Sequence, residues 1–296
     1  MKLKYAITLS SFCHIEPIER TLERLQGQGY DAVEMFGEPQ KMGMKKLRDI
    51  FDSFNFHVCG ITGMWGSISE DSWKRRILSA DRSITKHTED YVMDCIKMCQ
   101  SVGGNEMNIC LFADSDMATF DRNHRTLSGD KKEGVIQKAI PLLNTLSKFA
   151  KDYGVHILVE PLNRYNTPFC SSAKDAFVIA NKVNHDNFGL LLDTFHMNIE
   201  EDSFEDSILK SRKLLRHMHL ADNNRKMPGY SHINFQSIMR SLFSIGYNGY
   251  ASFEPNVNDK DYENFTMRGL EFIKSLEKIV SSSSSLSTFS NPTVIN

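Results

Sequence analysis

The chain has 296 residues, of which 41% are hydrophobic, 24% charged and 10% aromatic, with a formal net charge of −2. That is enough apolar material to bury one large core or two ordinary ones. The near-neutral charge gives no electrostatic handle for nucleic acid or an anionic membrane, and the apolar runs are too short and too interrupted by charge to span a bilayer.

The N-terminus passes directly into a strand pattern and lacks the apolar region and cleavage site of a signal peptide. Lys4–Ser11 reads as a first strand and Ile15–Gly29 as a helix with Ile18, Leu22 and Leu25 on one face. Asp31–Phe36 is a second strand, Met44–Phe54 a helix, and His57–Trp65 a third strand. A polar loop leads to a helix over Glu89–Val102, stopped by Gly103 and Gly104, then to a fourth strand over Asn105–Phe112. The long polar link Ala113–Asp130 has the character of an active-site loop. Lys132–Tyr153 is a long helix in which Pro141 predicts a kink or break. Four further strands follow, His156–Pro161, Phe188–Thr194, Leu215–Ala221 and Tyr250–Pro255. They alternate with helices over Ala173–Val183, Phe204–Lys213, Phe235–Ile245 and Glu263–Val280.

Eight strand–helix units in a row predict an α/β (β/α)₈ TIM barrel as a single domain over residues 1–280. A doubly wound open sheet is the alternative, but no GxGxxG or GxxxxGK[ST] turn occurs. Residues 281–296, with serine from Ser281 to Ser285, read as a disordered tail. The six cysteines, Cys13, Cys59, Cys95, Cys99, Cys110 and Cys170, form no CxxC and no zinc quartet. They read as reduced thiols of a cytoplasmic protein.

In such a barrel the chemistry lies at the C-terminal ends of the strands. Four consecutive strands end in a ligand-type residue: Glu160, Asp193, His219 and Glu254. Three half-buried carboxylates and one imidazole repel one another in an empty pocket, and a divalent cation removes that conflict. The mixed oxygen and nitrogen donors suit Mn²⁺, Mg²⁺, Co²⁺ or Zn²⁺ better than Ca²⁺. Taken singly, each residue reads as a satisfied polar group at the rim; four on adjacent strands reverse that reading.

The runs Val159-Glu-Pro-Leu-Asn-Arg-Tyr165 and Leu192-Asp-Thr-Phe-His-Met-Asn-Ile-Glu-Glu201, with the segment from His217 through Arg225 to Gly229, resemble the xylose-isomerase-like sugar isomerase/epimerase superfamily. Within it they are most similar to the ketose 3-epimerases of the tagatose/psicose group. The resemblance implies one divalent metal ion, Mn²⁺ foremost, on Glu160, Asp193, His219 and Glu254, with His196 and Arg225 on the substrate's oxygens. It implies 3-epimerisation of a free ketose, with Glu160 and Glu254 moving a proton between the two faces of an enediolate held at the metal. It also implies a sugar as the small-molecule partner and a homo-oligomer, dimer or tetramer.

One departure stands out. Where the 3-epimerases carry a second glutamate after the Asn-Arg-aromatic motif, this chain has Asn166, which can hydrogen-bond a substrate but bears no charge. Glu34 and Trp65 are further candidates for substrate contact, a rim salt bridge being the rival reading for Glu34 and ordinary packing for Trp65 and Phe112. His14 has the look of a solvated loop residue and His217 of a group deeper in the barrel. The alternatives within the superfamily are an inosose isomerase or dehydratase, a hydroxypyruvate isomerase, or the catalytic subunit of a C-glycoside deglycosidase with a partner subunit. An endonuclease-IV-like nuclease needs more metal ligands and a basic face, and a barrel kept only for binding does not need all four ligands.

Overall fold

The computed structural model describes residues 3–41, 43–65, 69–114, 129–257 and 261–287, with the side chains of 129–130 and 283–287 outside the description. The eight expected strands are present: β1 (Lys4–Ile7), β2 (Ala32–Phe36), β3 (His57–Thr62), β4 (Glu106–Ile109), β5 (His156–Val159), β6 (Phe188–Asp193), β7 (Leu215–Leu220) and β8 (Tyr250–Phe253). They form one sheet in the order β1-β8-β7-β6-β5-β4-β3-β2, and each neighbouring pair in that order runs parallel. The seam between β1 and β2 is closed by a single bridge, Thr8 to Glu34. Asp31 reinforces it, since its N–H donates to Tyr5 O and its carboxylate accepts from Tyr5 N–H, both at 2.8 Å. The protein is a TIM barrel.

Helices α1 (Ile18–Gln28), α2 (Met44–Phe54), α3 (Arg82–Ser101), α4 (Gly129–Asp152), α5 (Ala173–Val183), α6 (Thr194–Glu200), α7 (Phe204–Ser211), α8 (Phe235–Ser244) and α9 (Tyr262–Ser287) accompany the sheet. The main core lies between helices and strands, where Leu22 and Leu25 of α1 or Ile238 and Leu242 of α8 are fully buried. Strands covered on both faces need apolar residues at every position, and all six residues of β6 are buried.

Several boundaries differ from expectation, each for a local reason. Helix α3 begins at Arg82, not Glu89, because the Asp81 carboxylate caps it by accepting from Ser83 N–H at 2.7 Å. Helix α1 starts only after Pro17, whose fixed φ suits a helix entry. Helix α4 is not broken at Pro141 and runs through it. Helix α9 continues past Val280 to Ser287; the Ser281 and Ser282 hydroxyls fold back onto the Lys278 carbonyl, a bond compatible with helix. Of the expected link Ala113–Asp130, residues 115–128, which include His124, lie outside the described residues, as do 288–296 of the tail. Among the described residues no helix is long and apolar enough to cross a membrane.

Candidate metal centre

The barrel mouth gathers Glu160 just past β5, Asp193 at the end of β6, His219 on β7 and Glu254 just past β8. Each offers one ligand atom, and these atoms lie within 4.8 Å of one another. Glu160, Asp193 and His219 are buried and Glu254 partly so. His219 Nδ1 lies 3.4 Å from Glu160 Oε1 and 3.0 Å from Glu254 Oε2, yet it is buried without a properly aligned hydrogen bond. A ring nitrogen and two carboxylate oxygens that converge without aligned hydrogen bonds between them are the arrangement a cation requires. By donor type and burial, the residues fit a divalent metal.

The electrostatics show the same demand for positive charge. The Arg225 guanidinium ion-pairs with both Asp193 and Glu254. Burial disfavours ionised Glu254, but Arg225 and then His219 override it and hold the carboxyl well below its usual range. Burial likewise opposes charge on His219, and Glu34 and then Glu254 outweigh it, raising its pKa well above the ordinary imidazole value. The loop that brings Arg225 here is built around Asp222, a fully buried carboxylate that accepts from the N–H groups of Asn223, Gly229, Ser231 and Ile233. It keeps Arg225 at φ 58°, a left-handed conformation costly for a non-glycine residue, while Asn256 N–H donates to the Arg225 carbonyl at 2.7 Å. Asp222→Ala leaves those donors without their acceptor. It is expected to cost roughly 3–5 kcal/mol, read from urea denaturation.

Two further groups are held in a fixed orientation. Asn108 Nδ2 donates to Glu160 Oε2 at 2.6 Å, and the Cys110 thiol, kept neutral by burial and then by Glu160, donates to the same oxygen at 3.6 Å. His196 Nδ1 accepts from the Asn163 backbone N–H at 3.1 Å. The proton of a neutral His196 ring is therefore on Nε2, which lies 3.7 Å from Asp193 Oδ2 and faces the cluster. His196 sits on α6, a helix missed in the sequence because Asp193 both ends β6 and caps α6 by accepting from Phe195 N–H at 2.8 Å.

The other expected residues fall in different places. Trp65, 39% exposed, packs edge-on against Phe112 with ring centroids 5.0 Å apart. Asn166 is exposed in the turn after β5, its N–H donating to Asn163 O at 2.9 Å. Glu34 lies 2% exposed on the His219 side of the cluster, bonded to Thr62 and His219. His217 is a deeper group, its Nδ1 2.8 Å from Glu106 Oε2; Glu34 and then Glu106 overcome burial and raise its pKa to about 9. His14 contacts the Val257 carbonyl. Sequence reasoning missed Asn108, Cys110, Asn163 and Glu106. Alternation along β4 does place Glu106, Asn108 and Cys110 on one face, the one available signal.

A sequence profile of the xylose isomerase-like TIM barrel family matches residues 22–276. The D-psicose 3-epimerase of Ruminiclostridium cellulolyticum is 31% identical over 240 residues, 80% of this chain and 77% of that enzyme. The 3-dehydro-D-guloside 4-epimerase of Escherichia coli is 32% identical over 252 residues, covering 82% and 90%. A shorter match, 36% identical over 126 residues, joins 43% of this chain to 44% of the D-psicose 3-epimerase of Agrobacterium fabrum. With the profile spanning most of the barrel and two relatives aligned along most of their length, the chain belongs to the xylose isomerase-like TIM barrel family.

Proposed function

We propose that the protein is a divalent-metal-dependent epimerase that inverts a carbon next to the carbonyl of a free ketose. The observation that carries this reading is the convergence of Glu160, Asp193, His219 and Glu254 on one point, with Glu160 and Glu254 reaching it from strands three apart around the barrel. A divalent cation, Mn²⁺ by the mixed carboxylate and imidazole donors, would polarise the carbonyl and a neighbouring hydroxyl when held there.

The chain's own groups supply the rest. Glu160, oriented by Asn108 and Cys110, removes the proton from the carbon beside the carbonyl. Glu254, on the other side, delivers a proton to the opposite face, and in the reverse direction the roles exchange. His196, with its ring set by Asn163, and Arg225 donate hydrogen bonds to the oxygens on which negative charge develops.

A specific residue favours a second reading. Asn166 removes the negative charge that the ketose 3-epimerases place after the Asn-Arg-aromatic motif, and the relative aligned over 90% of its length is named for 4-epimerisation of a 3-dehydro-glycoside. The same two glutamates would then invert the carbon on the other side of a carbonyl at C3. Incubation with D-psicose, L-ribulose and a 3-keto-glycoside in Mn²⁺-containing D₂O, followed by NMR, separates the readings. Deuterium at C3 of the ketoses supports the first, and at C4 of the keto-glycoside the second. No exchange on any of them overturns both.

Arg225 gives a test of the metal that does not depend on turnover. Arg225→Ala removes the guanidinium from between Asp193 and Glu254, and the metal-free protein is expected to lose roughly 3–5 kcal/mol. With Mn²⁺ bound, the cation takes over that charge and the loss shrinks. Equal losses with and without Mn²⁺ in urea denaturation would place the cation elsewhere.

A further inference from the structure

Beneath the proposed ligands, the barrel interior holds a column of charged side chains that the proton transfer does not use. Glu34 Oε1 accepts from Thr62 Oγ1 at 2.7 Å, and its Oε2 lies 3.0 Å from His219 Nε2 and 3.3 Å from His217 Nε2. His217, 1% exposed, places Nδ1 2.8 Å from Glu106 Oε2. The contacts Glu106–His217–Glu34–His219 thus run up the barrel interior and end at His219 Nδ1; this atom and His217 Nε2, which meets Glu34 as an ion-pair contact, are both buried without an aligned hydrogen bond.

The backbone is shaped to make this column. Between the pairs Val33–Val58 and Glu34–Gly60 the register skips Cys59 of β3, which leaves Glu34 opposite a glycine. A Cβ on Gly60 would lie 2.5 Å from the Glu106 carbonyl, so glycine lets β3 close against the strand that carries Glu106. Barrel interiors of this fold are ordinarily filled by branched apolar side chains, and buried charges in their place carry a desolvation cost. A contribution at the site above would offset that cost.

The ionised Glu34 carboxylate can only accept, so its bond to His219 puts a proton on Nε2, and in the neutral, ligating ring the Nδ1 lone pair is then aimed at Glu160 and Glu254. A ligating histidine needs both its tautomer and its ring plane fixed in this way. We propose that Glu34 is the positioning residue of the metal centre, held by His217 and Glu106, and that this column sets the affinity of the site for its cation. The proposal rests on Glu160, Asp193, His219 and Glu254 being the ligands.

The test is calorimetric titration of Mn²⁺ into the metal-free wild type and into Glu34→Gln, Glu106→Gln and the double variant, with melting curves taken on each metal-free protein. Glu34→Gln is expected to weaken Mn²⁺ binding about 10–100-fold. Glu106→Gln should weaken it less, and should add nothing to Glu34→Gln, because it acts through the same contacts. A purely structural role would lower the melting temperature and leave the dissociation constant unchanged. If Glu34→Gln does not fold, Glu106→Gln alone decides, and wild-type affinity in it overturns the column. Wild-type affinity in a folded Glu34→Gln also overturns it and leaves the metal centre standing. A wild-type protein that takes up no Mn²⁺, Co²⁺, Mg²⁺ or Zn²⁺ overturns the metal centre itself.

Discussion

Glu160→Gln and Glu254→Gln each leave the barrel folded and lower kcat by at least about 10²–10⁴-fold, the contribution of one placed acid–base group. Glutamine keeps the volume of the side chain, and at 160 its carbonyl can still accept from Asn108 Nδ2, so the packing around Glu160 Oε2 survives. Glu160→Gln removes one negative charge from a cluster of three carboxylates, whereas Glu254→Gln takes from Arg225 one of its two carboxylate partners and leaves it paired with Asp193. What is lost is the capacity to take or give a proton. If the two glutamates serve opposite faces, the defects differ in kind. Each variant can still exchange the proton on the face served by its remaining glutamate, without inverting the carbon. In D₂O, one variant should label one epimer of the substrate and the other variant the opposite epimer, each slowly and with configuration retained. The comparison is made at matched Mn²⁺ occupancy, because both residues are also proposed ligands. Wild-type turnover in either variant would remove that glutamate from the proton path.

The parts of this protein legible in its sequence are those where one local pattern determines one outcome. An apolar run of strand length followed by a ligand-type residue occurs at Glu160, Asp193, His219 and Glu254, and the parallel barrel brings all four ends to one mouth. Where a residue serves two local purposes, the reading failed. Asp193 closes β6 and caps α6, so the helix carrying His196 passed as loop. Depth along the barrel axis was also out of reach. Glu34 stands in the middle of β2, whereas Glu160 and Glu254 lie just past β5 and β8, and only the stagger of the closed barrel brings it against His219. Long-range partners such as Asn108 for Glu160, or Asn163 for His196, depend on which strands and loops become neighbours, and that information appears only once the barrel closes.

Exhaustive dialysis against EDTA is expected to abolish epimerisation, with recovery on adding Mn²⁺ or Co²⁺, while the protein stays folded throughout. Persistence of the fold follows from the charges at the mouth. Without a cation the Arg225 guanidinium bridges Asp193 and Glu254, and His219 in its protonated form faces Glu160 and Glu254, so the carboxylates are never left uncompensated. Stability should nevertheless depend on metal by mass action. At a free Mn²⁺ concentration of 100 times the dissociation constant, binding to the native state alone adds about 2.7 kcal/mol. For a chain of this length that corresponds to a rise in Tm of roughly 5–10 °C. Arg225 shapes the size of the effect, because loading the metal must first displace its guanidinium from two ligands; the rise in Arg225→Ala should therefore exceed that of the wild type at the same ratio of Mn²⁺ to wild-type dissociation constant. Undiminished turnover after EDTA, with metal analysis showing an empty protein, would end the metal-dependent mechanism. Loss of the folded state on chelation would instead show that Arg225 and His219 do not balance the carboxylates.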